Sequence, residues 1–461
     1  MLDYAHKNVL VIGAGLSGLA AARLLRRLGS EVTVADAKEE KYLSPLETIK
    51  GEEVTLLLGG DFPKSVKDYD LVVISPGVPI DHKLLKEARK KGIEITGELE
   101  LSSSLVKMPT VAVTGSNGKT TTAELTRHIL YRLGYRPHLA GNIGEPLSNL
   151  AADLIEGKNN PYRTLVLEVS SFQLETIKDF HPKGAALLNL SPDHLDRHHS
   201  MSKYLKLKKA IFKNQTKEDI AVVNLDDPAL QNLKPKARVF GITEIKDHLN
   251  FGGCLTQSGL STVLKLFEDG SELSSVYFKD FSLTGRHNFM NILAAVGLAH
   301  SLGADMVEAL NLAKDFKPSD HRLQLVLEHR SVQYYDDSKG TNPGAVASAL
   351  ANFRDGSVLL IMGGRDKDMD FRGLMNLVKR KVKLLILMGE SREKIREQLS
   401  GAAPTAYAES MEKAVELGRA WAASGDTVLL SPACASFDMF KDYKERGDVF
   451  QKEVMKILET P

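Results

Sequence analysis

The residues best suited to chemistry lie in one segment, Val111-Ala-Val-Thr-Gly-Ser-Asn-Gly-Lys-Thr-Thr-Thr122. An apolar strand leads into a turn that carries Gly115 and Gly118, and a helix then opens on Lys119. Such a turn can point backbone N–H groups inward, while the helix N-terminus and the lysine add positive charge. Thr120 can place its hydroxyl on a magnesium ion. The segment therefore predicts a site for a nucleoside triphosphate.

One position of this segment departs from the usual phosphate-loop pattern. Val113 stands where that pattern has a glycine, so the motif is a shortened relative. The structural alternative is a glycine-rich turn between a strand and a helix that holds no ligand. Gly-Lys-Thr after an apolar strand favours the phosphate interpretation.

A metal site is predicted downstream of the phosphate loop. The apolar strand over 164–169 delivers Glu168 at its C-terminal end, where a carboxylate can bind magnesium directly or through water. A second strand leads to Asp193 and His194 at the equivalent edge. A capping carboxylate is the alternative for the glutamate. His194 and His198 have the i, i+4 spacing of a zinc pair, but no third soft ligand is spaced to complete such a site.

The N-terminal segment carries a second glycine-rich turn. Gly13-Ala-Gly15-Leu-Ser-Gly18 follows a strand and opens a helix, and Asp36 ends the next strand at the distance typical of ribose recognition. Ser75-Pro-Gly77 ends another strand, where ligands of open sheets collect. NAD or FAD is one interpretation. A substrate that carries a diphosphate fits both loops equally well.

Three segments of alternating strands and helices must position these motifs. The first has predicted strands at 8–13, 31–35, 71–75 and 93–96 with amphipathic stretches between them. This alternation predicts βαβ units and a parallel sheet. The sheet restarts at the phosphate loop, so a boundary is expected before Pro109, with further strands at 164–169 and 185–189. Short strands follow residue 240, then a helix over 288–302 and a linker at 317–320. The last segment has strands at 358–362, 384–388 and 427–430.

Composition is typical of an enzyme from a reducing cytoplasm. The 461 residues exceed what one core supports and suggest about three domains. A formal net charge of +1 argues against nucleic acid or a membrane surface as partner. Cys254 and Cys434 lie far apart and supply no disulfide framework. The apolar run at 9–19 contains three glycines and continues as a helix, unlike a signal peptide, and no other run reaches transmembrane length.

Taken together, the motifs resemble the Mur ligase family over essentially the whole chain, and most closely its D-glutamate-adding branch. The motifs that carry the resemblance are Gly13-Ala-Gly15-Leu-Ser-Gly18, Ser75-Pro-Gly77, Thr114-Gly-Ser-Asn-Gly-Lys-Thr-Thr-Thr122, Gly141-Asn-Ile-Gly144, Glu168-Val-Ser-Ser-Phe-Gln173, Asp193-His-Leu-Asp-Arg197, Gly285-Arg-His-Asn288, Asp320-His-Arg322, Asp337-Ser-Lys-Gly-Thr-Asn342 and Leu430-Ser-Pro-Ala-Cys-Ala-Ser436. As a set they are highly specific, although most are weak singly.

The resemblance implies an α/β fold of three domains and an ATP-dependent amide-forming activity. The expected domains are a Rossmann-like UDP-substrate-binding domain at 1–108, a central ATP-binding domain of the P-loop type at 109–317 and a Rossmann-like amino-acid-binding domain at 318–461. ATP would phosphorylate the carboxylate of UDP-N-acetylmuramoyl-L-alanine, and D-glutamate would attack the acyl phosphate through a tetrahedral intermediate. The implied setting is cytoplasmic peptidoglycan precursor synthesis by a monomer, without nucleic acid or membrane insertion.

Site residues follow from the resemblance by motif position. The implied ATP contacts are Gly115, Asn117, Gly118, Lys119, Thr120, Thr121, Asn288, Asn291, Arg322 and Asp337. The implied contacts to the UDP substrate are Gly15, Leu16, Ser17, Asp36, Ser75, Gly77, Asn142, Ser170, Gln173 and His194. The implied contacts to D-glutamate are Lys339, Thr341, Lys367, Ser436 and Tyr443.

The resemblance also implies the catalytic and metal residues. The catalytic set is Lys119, Glu168, His194 and Lys208. Magnesium would be held by Thr120, Glu168, His194 and Lys208, the last as a carbamate. Adding carbon dioxide to the lysine amine replaces a cation with an anion that can support a second magnesium ion.

Two other classes of function stay open from the sequence. A nicotinamide or flavin oxidoreductase would use the N-terminal glycine-rich turn but gives no role to Lys119, Glu168 and His194. A nucleotide switch without catalysis would use the phosphate loop but gives no role to Lys339 and Lys367, the lysines implied to bind D-glutamate. Folylpolyglutamate synthases and other Mur ligases share the central motif but not the complete set of terminal motifs.

Overall fold

The computed structural model describes residues 4–49, 51–259, 261–283, 288–317, 320–366 and 369–459. Over these ranges the strands form three sheets, which confirms the α/β expectation. Contacts divide the chain into two compact units. The first unit comprises Met1–Leu190, Ser202–Phe281 and Met290–Phe316, and the second comprises Ser191–Met201, Ser282–Phe289 and Lys317–Pro461. The domain boundaries expected at 108/109 and 317/318 stay predictions.

The first sheet is parallel throughout, in the order β3-β2-β1-β4-β5. Its elements are β1 (Asn8–Ile12), α1 (Leu16–Arg27), β2 (Glu31–Ala35), β3 (Val54–Leu57), β4 (Leu71–Ile74), α2 (Lys83–Lys91), β5 (Glu94–Gly97) and α3 (Glu98–Leu105). Continuous apolar runs form the central strands because helices cover both faces of such sheets. β3 was not predicted, since this partly exposed strand lacks that continuous apolar signal.

The second sheet is built around the phosphate loop, in the order β14-β13-β12-β11-β10-β9-β6-β8-β7. Its strands are β6 (Thr110–Thr114), β7 (Pro137–Gly141), β8 (Thr164–Glu168), β9 (Gly184–Leu187), β10 (Ile220–Asn224), β11 (Arg238–Thr243), β12 (Gly252–Ser258), β13 (Ser261–Glu268) and β14 (Ser271–Tyr277). Pairing is parallel from β7 to β12 and antiparallel from β12 to β14. The carboxyl ends of β6, β7, β8 and β9 therefore meet at one edge, where ligands of open sheets bind.

Helices of the central region follow the strands. They are α4 (Lys119–Arg132), α5 (Leu147–Ile155), α6 (Leu195–His198), α7 (Met201–Lys209), α8 (Asn288–His300) and α9 (Met306–Leu312). The predicted helix at 288–302 is confirmed. None of the described helices has both the length and the apolar character needed to cross a membrane.

The third sheet lies in the second unit, in the order β15-β16-β20-β17-β18-β19. Its elements are β15 (Gln324–His329), β16 (Val332–Asp336), α10 (Pro343–Leu350), β17 (Val358–Gly363), α11 (Met375–Lys381), β18 (Val382–Met388), α12 (Arg392–Gln398), β19 (Thr405–Tyr407), α13 (Met411–Trp421), β20 (Thr427–Ala433) and α14 (Tyr443–Met455). Only the β15–β16 pair is antiparallel among the described strands of this sheet. Short 3-10 helices occur at Glu40–Tyr42, Ser44–Ile49, Gln173–Thr176, Ala210–Phe212, Phe278–Asp280, Ala313–Asp315, Arg372–Leu374 and Lys456–Glu459.

The first two sheets share one core within the first unit. α1 packs against α5, and buried side chains such as Leu24 and Ala151 belong to the same apolar cluster. Two glutamates of α3 reinforce this junction. Glu98 accepts a hydrogen bond from the backbone N–H of Ser148 at 2.7 Å, and burial raises the pKa of its carboxyl.

Glu100 is the second glutamate of this junction. Its carboxylate accepts hydrogen bonds from the backbone N–H groups of Lys178, Asp179 and Phe180 at 2.9, 2.8 and 3.2 Å. A carboxylate that accepts three backbone hydrogen bonds fixes the loop that carries the donors, since hydrogen bonds to a charged acceptor are strong. The segment after β8 is thereby tied to the first sheet.

We expect Glu100→Ala to lower the free energy of unfolding by about 2–3 kcal/mol, because it leaves the buried N–H of Phe180 and two part-buried N–H groups without an acceptor. Glu94→Ala is the matched control. Glu94 pairs with the exposed Lys178 ammonium at 2.6 Å, so its loss should cost less than about 1 kcal/mol. Urea unfolding of the full chain measures both variants. Equal losses would contradict the role given to Glu100.

Candidate functional site

The phosphate loop joins β6 to α4 in the first unit. Gly118 caps the helix with a φ of 83°, and a Cβ there would lie 2.4 Å from Oδ1 of Asn291. A glycine is therefore required by conformation and by space. The ammonium of Lys119 folds back and donates to the carbonyls of Gly115 and Ser116, both at 2.9 Å. The predicted loop is thus a closed turn braced by its own lysine.

A buried carboxylate lies beside this loop. Glu168 ends β8 and is 2% exposed. The hydroxyl of Thr120 donates to its Oε2 at 2.7 Å, and Nδ2 of Asn142 donates to its Oε1 at 2.8 Å. Asn142 also donates its backbone N–H to the carbonyl of Glu168 at 2.8 Å. Three adjacent strands thus bring together a hydroxyl, a carboxylate and an amide. These oxygens are the hard donors that magnesium prefers, so the residues fit that ion.

Lys208 lies on α7, on the other side of the loop. Its side chain is 1% exposed, whereas Lys206 and Lys209 on the same helix are exposed. Its Nζ donates to the carbonyl of Gly115 at 2.8 Å and lies 4.6 Å from the ring centroid of Tyr204. The structure therefore singles out this lysine by burial and by its contact with the loop.

The glycine-rich turn of the first sheet is held by its own aspartate. Asp36 accepts hydrogen bonds from the backbone N–H groups of Ala14 at 2.7 Å and Lys38 at 2.8 Å. A Cβ on Gly18 would lie 1.9 Å from the carbonyl oxygen of Gly13, so strand and helix approach closely there. The carboxylate expected at a ribose or uracil thus braces the turn in this structure.

Other residues predicted to contact the UDP substrate lie at the edge of the first sheet or directly after β8 of the second sheet. Leu16 is 59% exposed, Gly77 is exposed and Ser75 is buried behind the turn. Gln173 accepts hydrogen bonds at its Oε1 from the N–H and hydroxyl of Ser170, at 2.9 and 3.1 Å. This pair shapes the chain directly after Glu168. Gly15, Ser17 and Thr121 lie at the helix starts that the sequence predicted.

His194 belongs to the second unit, whereas Thr120 and Glu168 belong to the first. It precedes α6 with a φ of 53°, and its Nε2 lies 3.7 Å from Oδ1 of Asp193. Asn342 donates to the other oxygen of that aspartate at 3.4 Å. Among the described residues, no three His, Cys, Asp or Glu side chains form a group that could hold a metal ion.

The residues predicted to bind D-glutamate follow the parallel strands of the third sheet. β16 and β20 end next to each other, which brings the segment with Lys339 close to the segment with Ser436. Nζ of Lys339 lies 5.2 Å from the ring centroid of Tyr443, a cation–π contact. Thr341 lies between these groups in sequence and is partly buried. Lys367 and residues 285–287 of the Gly285 motif lie outside the described residues.

Asp337 is the buried acid of this edge. Burial raises the pKa of its carboxyl to about 7, although the hydroxyl of Ser431 donates to it at 2.7 Å and the charge of Arg322 opposes the shift. Asn288, another predicted nucleotide contact of the second unit, begins α8 and is buried. A carboxyl that titrates near neutrality is a common feature of functional sites.

Three family models cover most of the chain. They are Mur ligase MurD-like, N-terminal domain, at residues 7–97, Mur ligase middle domain at 113–299 and Mur ligase, glutamate ligase domain, at 321–434. The UDP-N-acetylmuramoylalanine--D-glutamate ligase of Citrifermentans bemidjiense is 40% identical over 460 residues, covering 98% of both chains. That of Pelotomaculum thermopropionicum is 41% identical over 463 residues, covering 99% of both. The chain belongs to the Mur ligase family.

Solved structures show the same fold at lower identity. A pseudomurein peptide ligase type C from Methanothermus fervidus matches with a TM-score of 0.60 and 21% identity, covering 98% of this chain and 100% of that one. MurF ligase from Thermotoga maritima in complex with ADP matches with a TM-score of 0.61 and 20% identity, covering 98% and 96%. The three-sheet α/β architecture is thus that of Mur ligases.

Sequence reasoning missed two buried groups of this Mur ligase. Arg446 on α14 donates to the carbonyls of Ser338 and Cys434 at 2.8 and 3.1 Å, and burial lowers the pKa of its guanidinium to about 10. It thereby joins the ends of β16 and β20. No local motif marks an arginine in the first turn of an amphipathic helix, so only its burial reveals the role.

His321 is the other missed group. Its Nδ1 lies 2.7 Å from Oδ2 of Asp336, and its carbonyl accepts the backbone N–H of Lys339 at 3.1 Å. The carboxylate of Asp336 raises the pKa of the imidazole, and Asp448 and Asp320 act in the same direction. The Asp-His-Arg motif was a signal for this residue, but only Arg322 received a role from it.

The His321–Asp336 pair predicts a pH dependence of stability. Because the folded-state pKa of the imidazole is raised, its contribution is complete below the unfolded value of about 6.5 and is lost as pH rises through the folded value. We expect the difference in Tm between wild type and Asp336→Asn to be largest near the low end of a scan from about pH 5.5 to 8.5. The exposed Asp448→Asn serves as control and should show a smaller difference. A difference that does not change with pH would refute the assignment.

Proposed function

We propose that this Mur ligase joins D-glutamate to UDP-N-acetylmuramoyl-L-alanine at the expense of ATP, a cytoplasmic step of peptidoglycan precursor synthesis. Relatives named UDP-N-acetylmuramoylalanine--D-glutamate ligase match over nearly the whole chain, and the N-terminal family model is MurD-like. The observation that carries the proposal is the contact of Thr120 with Glu168 beside the Lys119 loop, because it supplies a site for a metal-bound triphosphate.

The chemistry needs repulsion between anions to be overcome. A carboxylate oxygen of the UDP substrate attacks the γ-phosphorus of ATP, ADP departs, and the resulting acyl phosphate is attacked by the amine of D-glutamate. The tetrahedral intermediate then expels phosphate, and the nitrogen that attacked as a neutral amine loses one proton to solvent or a nearby base and keeps the other as the amide N–H. We assign Lys119 to the phosphates, since its ammonium already lies at the loop. Magnesium, when bound, would neutralise phosphate charge.

Residues at the loop would orient the nucleotide. Thr120 and Glu168 supply the oxygen ligands for the metal, and Asn142 holds the second carboxylate oxygen in place. In the proposal Gly115, Asn117, Gly118 and Thr121 complete the phosphate contacts. Asn288, Asn291, Arg322 and Asp337 contact the rest of ATP. His194 takes part in binding both the metal and the UDP substrate.

Two further groups of residues would hold the other substrates. The UDP substrate is assigned to the edge of the first sheet and to the segment after Glu168, through Gly15, Leu16, Ser17, Asp36, Ser75, Gly77, Asn142, Ser170 and Gln173. D-glutamate is assigned to Lys339, Thr341, Lys367, Ser436 and Tyr443. Two lysines suit an acceptor with two carboxylates, since each forms charge-assisted hydrogen bonds. The domains at 1–108, 109–317 and 318–461 would each bring one substrate, in a monomer.

A direct assay tests the substrate assignment. The purified chain is given UDP-N-acetylmuramoyl-L-alanine, magnesium and ATP with a panel of amino acids, and phosphate release and product mass are measured. We expect release that depends on D-glutamate and a product heavier by one glutamyl group. Release with L-alanine or lysine in place of D-glutamate would assign the chain to another branch of the family. Absorbance of a bound flavin or nicotinamide would instead favour the oxidoreductase alternative.

Lys208 is proposed to act as a carbamate that supports a second magnesium ion. Its burial and its contact with the loop support this role, because they place this lysine, unlike the exposed lysines of the same helix, beside the residues assigned to the nucleotide. We expect Lys208→Ala to lower turnover by about a hundredfold or more, as when a catalytic electrostatic group is removed. Lys209→Ala, on the exposed face of the same helix, is the control and should retain activity.

The carbamate itself has a separate readout. Bicarbonate enriched in carbon-13 should give a carbamate resonance in the wild-type chain that is absent from Lys208→Ala. Near-normal turnover of Lys208→Ala would exclude the catalytic role. Loss of turnover without a carbamate signal would keep a role for the lysine but reject the modification.

A further inference from the structure

Asn189 lies at the edge of the second sheet where the phosphate loop begins. It follows β9 by two residues, and β9 pairs in parallel with β6, which leads into the loop. The sequence marked this asparagine only as the end of a strand. Its position beside the loop follows from the sheet order, in which β9 and β6 are neighbours although far apart in the chain.

Three hydrogen bonds connect Asn189 to the loop. Its backbone carbonyl accepts the N–H of Ser116 at 3.1 Å. Its side-chain Oδ1 accepts the N–H of Asn117 at 2.8 Å, and its Nδ2 donates to the carbonyl of Asn117 at 3.1 Å. One carboxamide therefore binds both polar groups of a single loop residue, a geometry that fixes the orientation of the peptide planes on either side.

The backbone on both sides of Asn189 is held by side chains at the end of β10 and shortly after it. Nδ2 of Asn224, at the end of β10, donates to the carbonyl of Leu188 at 3.0 Å. The backbone N–H of Leu190 donates to Oδ2 of Asp227 at 2.7 Å. Both residues that flank Asn189 are thus anchored, so its side chain starts from a fixed backbone. A support that is fixed in this way can set the shape of the loop.

The contacts decide which donors of the loop face a ligand. The backbone N–H groups of Ser116 and Asn117 point toward Asn189, so the backbone N–H contacts to phosphate are expected at the start of α4, at Gly118, Lys119 and Thr120, and not from these two groups. The first N–H groups of a helix have no partner within it and carry the positive end of its dipole. Fixing the carbonyl of Asn117 also keeps a negative dipole turned away from that end.

We propose that Asn189 is a positioning residue for the ATP reaction, which preorganises the phosphate loop by clamping the backbone of Asn117. The inference rests on the proposed function for the identity of the nucleotide, but the clamp itself is a statement about nucleotide affinity. It acts before chemistry, because a loop that is already in its binding shape loses less conformational entropy when phosphate arrives.

Removal of the clamp is tested with Asn189→Ala and Asn189→Asp in the full chain. The aspartate is isosteric and keeps an acceptor for the Asn117 N–H, but it places a carboxylate oxygen against the Asn117 carbonyl. We expect each variant to raise the Kd for magnesium ADP and the KM for ATP by about tenfold or more, with KM for D-glutamate unchanged. Calorimetry gives the Kd and steady-state kinetics the KM values.

Asn214→Ala is the matched control. Its Nδ2 also donates to two backbone carbonyls of the first unit, those of Lys178 and Phe180 at 2.8 and 3.0 Å, but away from the loop. It should lower Tm about as much as Asn189→Ala while leaving the Kd for ADP unchanged. An unchanged Kd in Asn189→Asp, or equal rises in KM for all substrates, would overturn the proposal.

The measurement separates the clamp from the ligase assignment. If the wild-type chain binds magnesium ADP but makes no product from D-glutamate, the ligase assignment fails while the Asn189 comparison still decides the clamp. If product forms and Asn189→Asp binds ADP like wild type, the clamp fails alone. Should Asn189→Ala not fold, the isosteric Asn189→Asp decides.

Discussion

The structure depends on a buried carboxylate at the edge of a parallel sheet. Glu168 lies where β6, β7 and β8 end, and side chains that follow the other two strands each donate a hydrogen bond to one of its oxygens. A carboxylate buried without hydrogen-bond partners would cost several kcal/mol. The hydroxyl of Thr120 and the amide of Asn142 supply those partners, and they do so only if strand order and register are correct. The fold and the hydrogen bonds of the site are therefore specified together.

The same logic extends from the carboxylate to the loop around it. Lys119 and Lys208 both donate to the carbonyl of Gly115, one from each side, and Asn189 holds the neighbouring Asn117. Backbone carbonyls that would repel phosphate thus accept hydrogen bonds from side-chain N–H donors. Their engagement leaves the positive end of α4 to face a ligand. The proposed phosphate site would depend as much on backbone acceptors that are already hydrogen-bonded as on the donors that face the ligand.

Local sequence predicted the elements that carry strong periodic or glycine signals. The loop at Gly115 to Thr120, the strand that ends at Glu168 and the helix from Asn288 are all where the sequence placed them. The sequence did not predict β3, because an edge strand exposed to solvent lacks a continuous apolar run. The sequence did not predict β7, because Pro137 and His138 weaken the apolar pattern of this short strand. These strands owe their stability to pairing, which a single sequence does not display.

Side-chain partners were harder to predict than elements, because they depend on strand order. Asn189 and Asn117 are separated by 72 positions in the chain, and their contact exists only because β9 lies beside β6. Arg446 and Ser338 are separated by 108 positions and meet because α14 covers the third sheet. Family resemblance assigned roles to residues that are predicted to contact ligands. It gave none to the groups that hold those residues, since such groups are recognised by burial and hydrogen bonding. The second layer of a site is therefore a product of topology, and it becomes visible only when the sheet order is known.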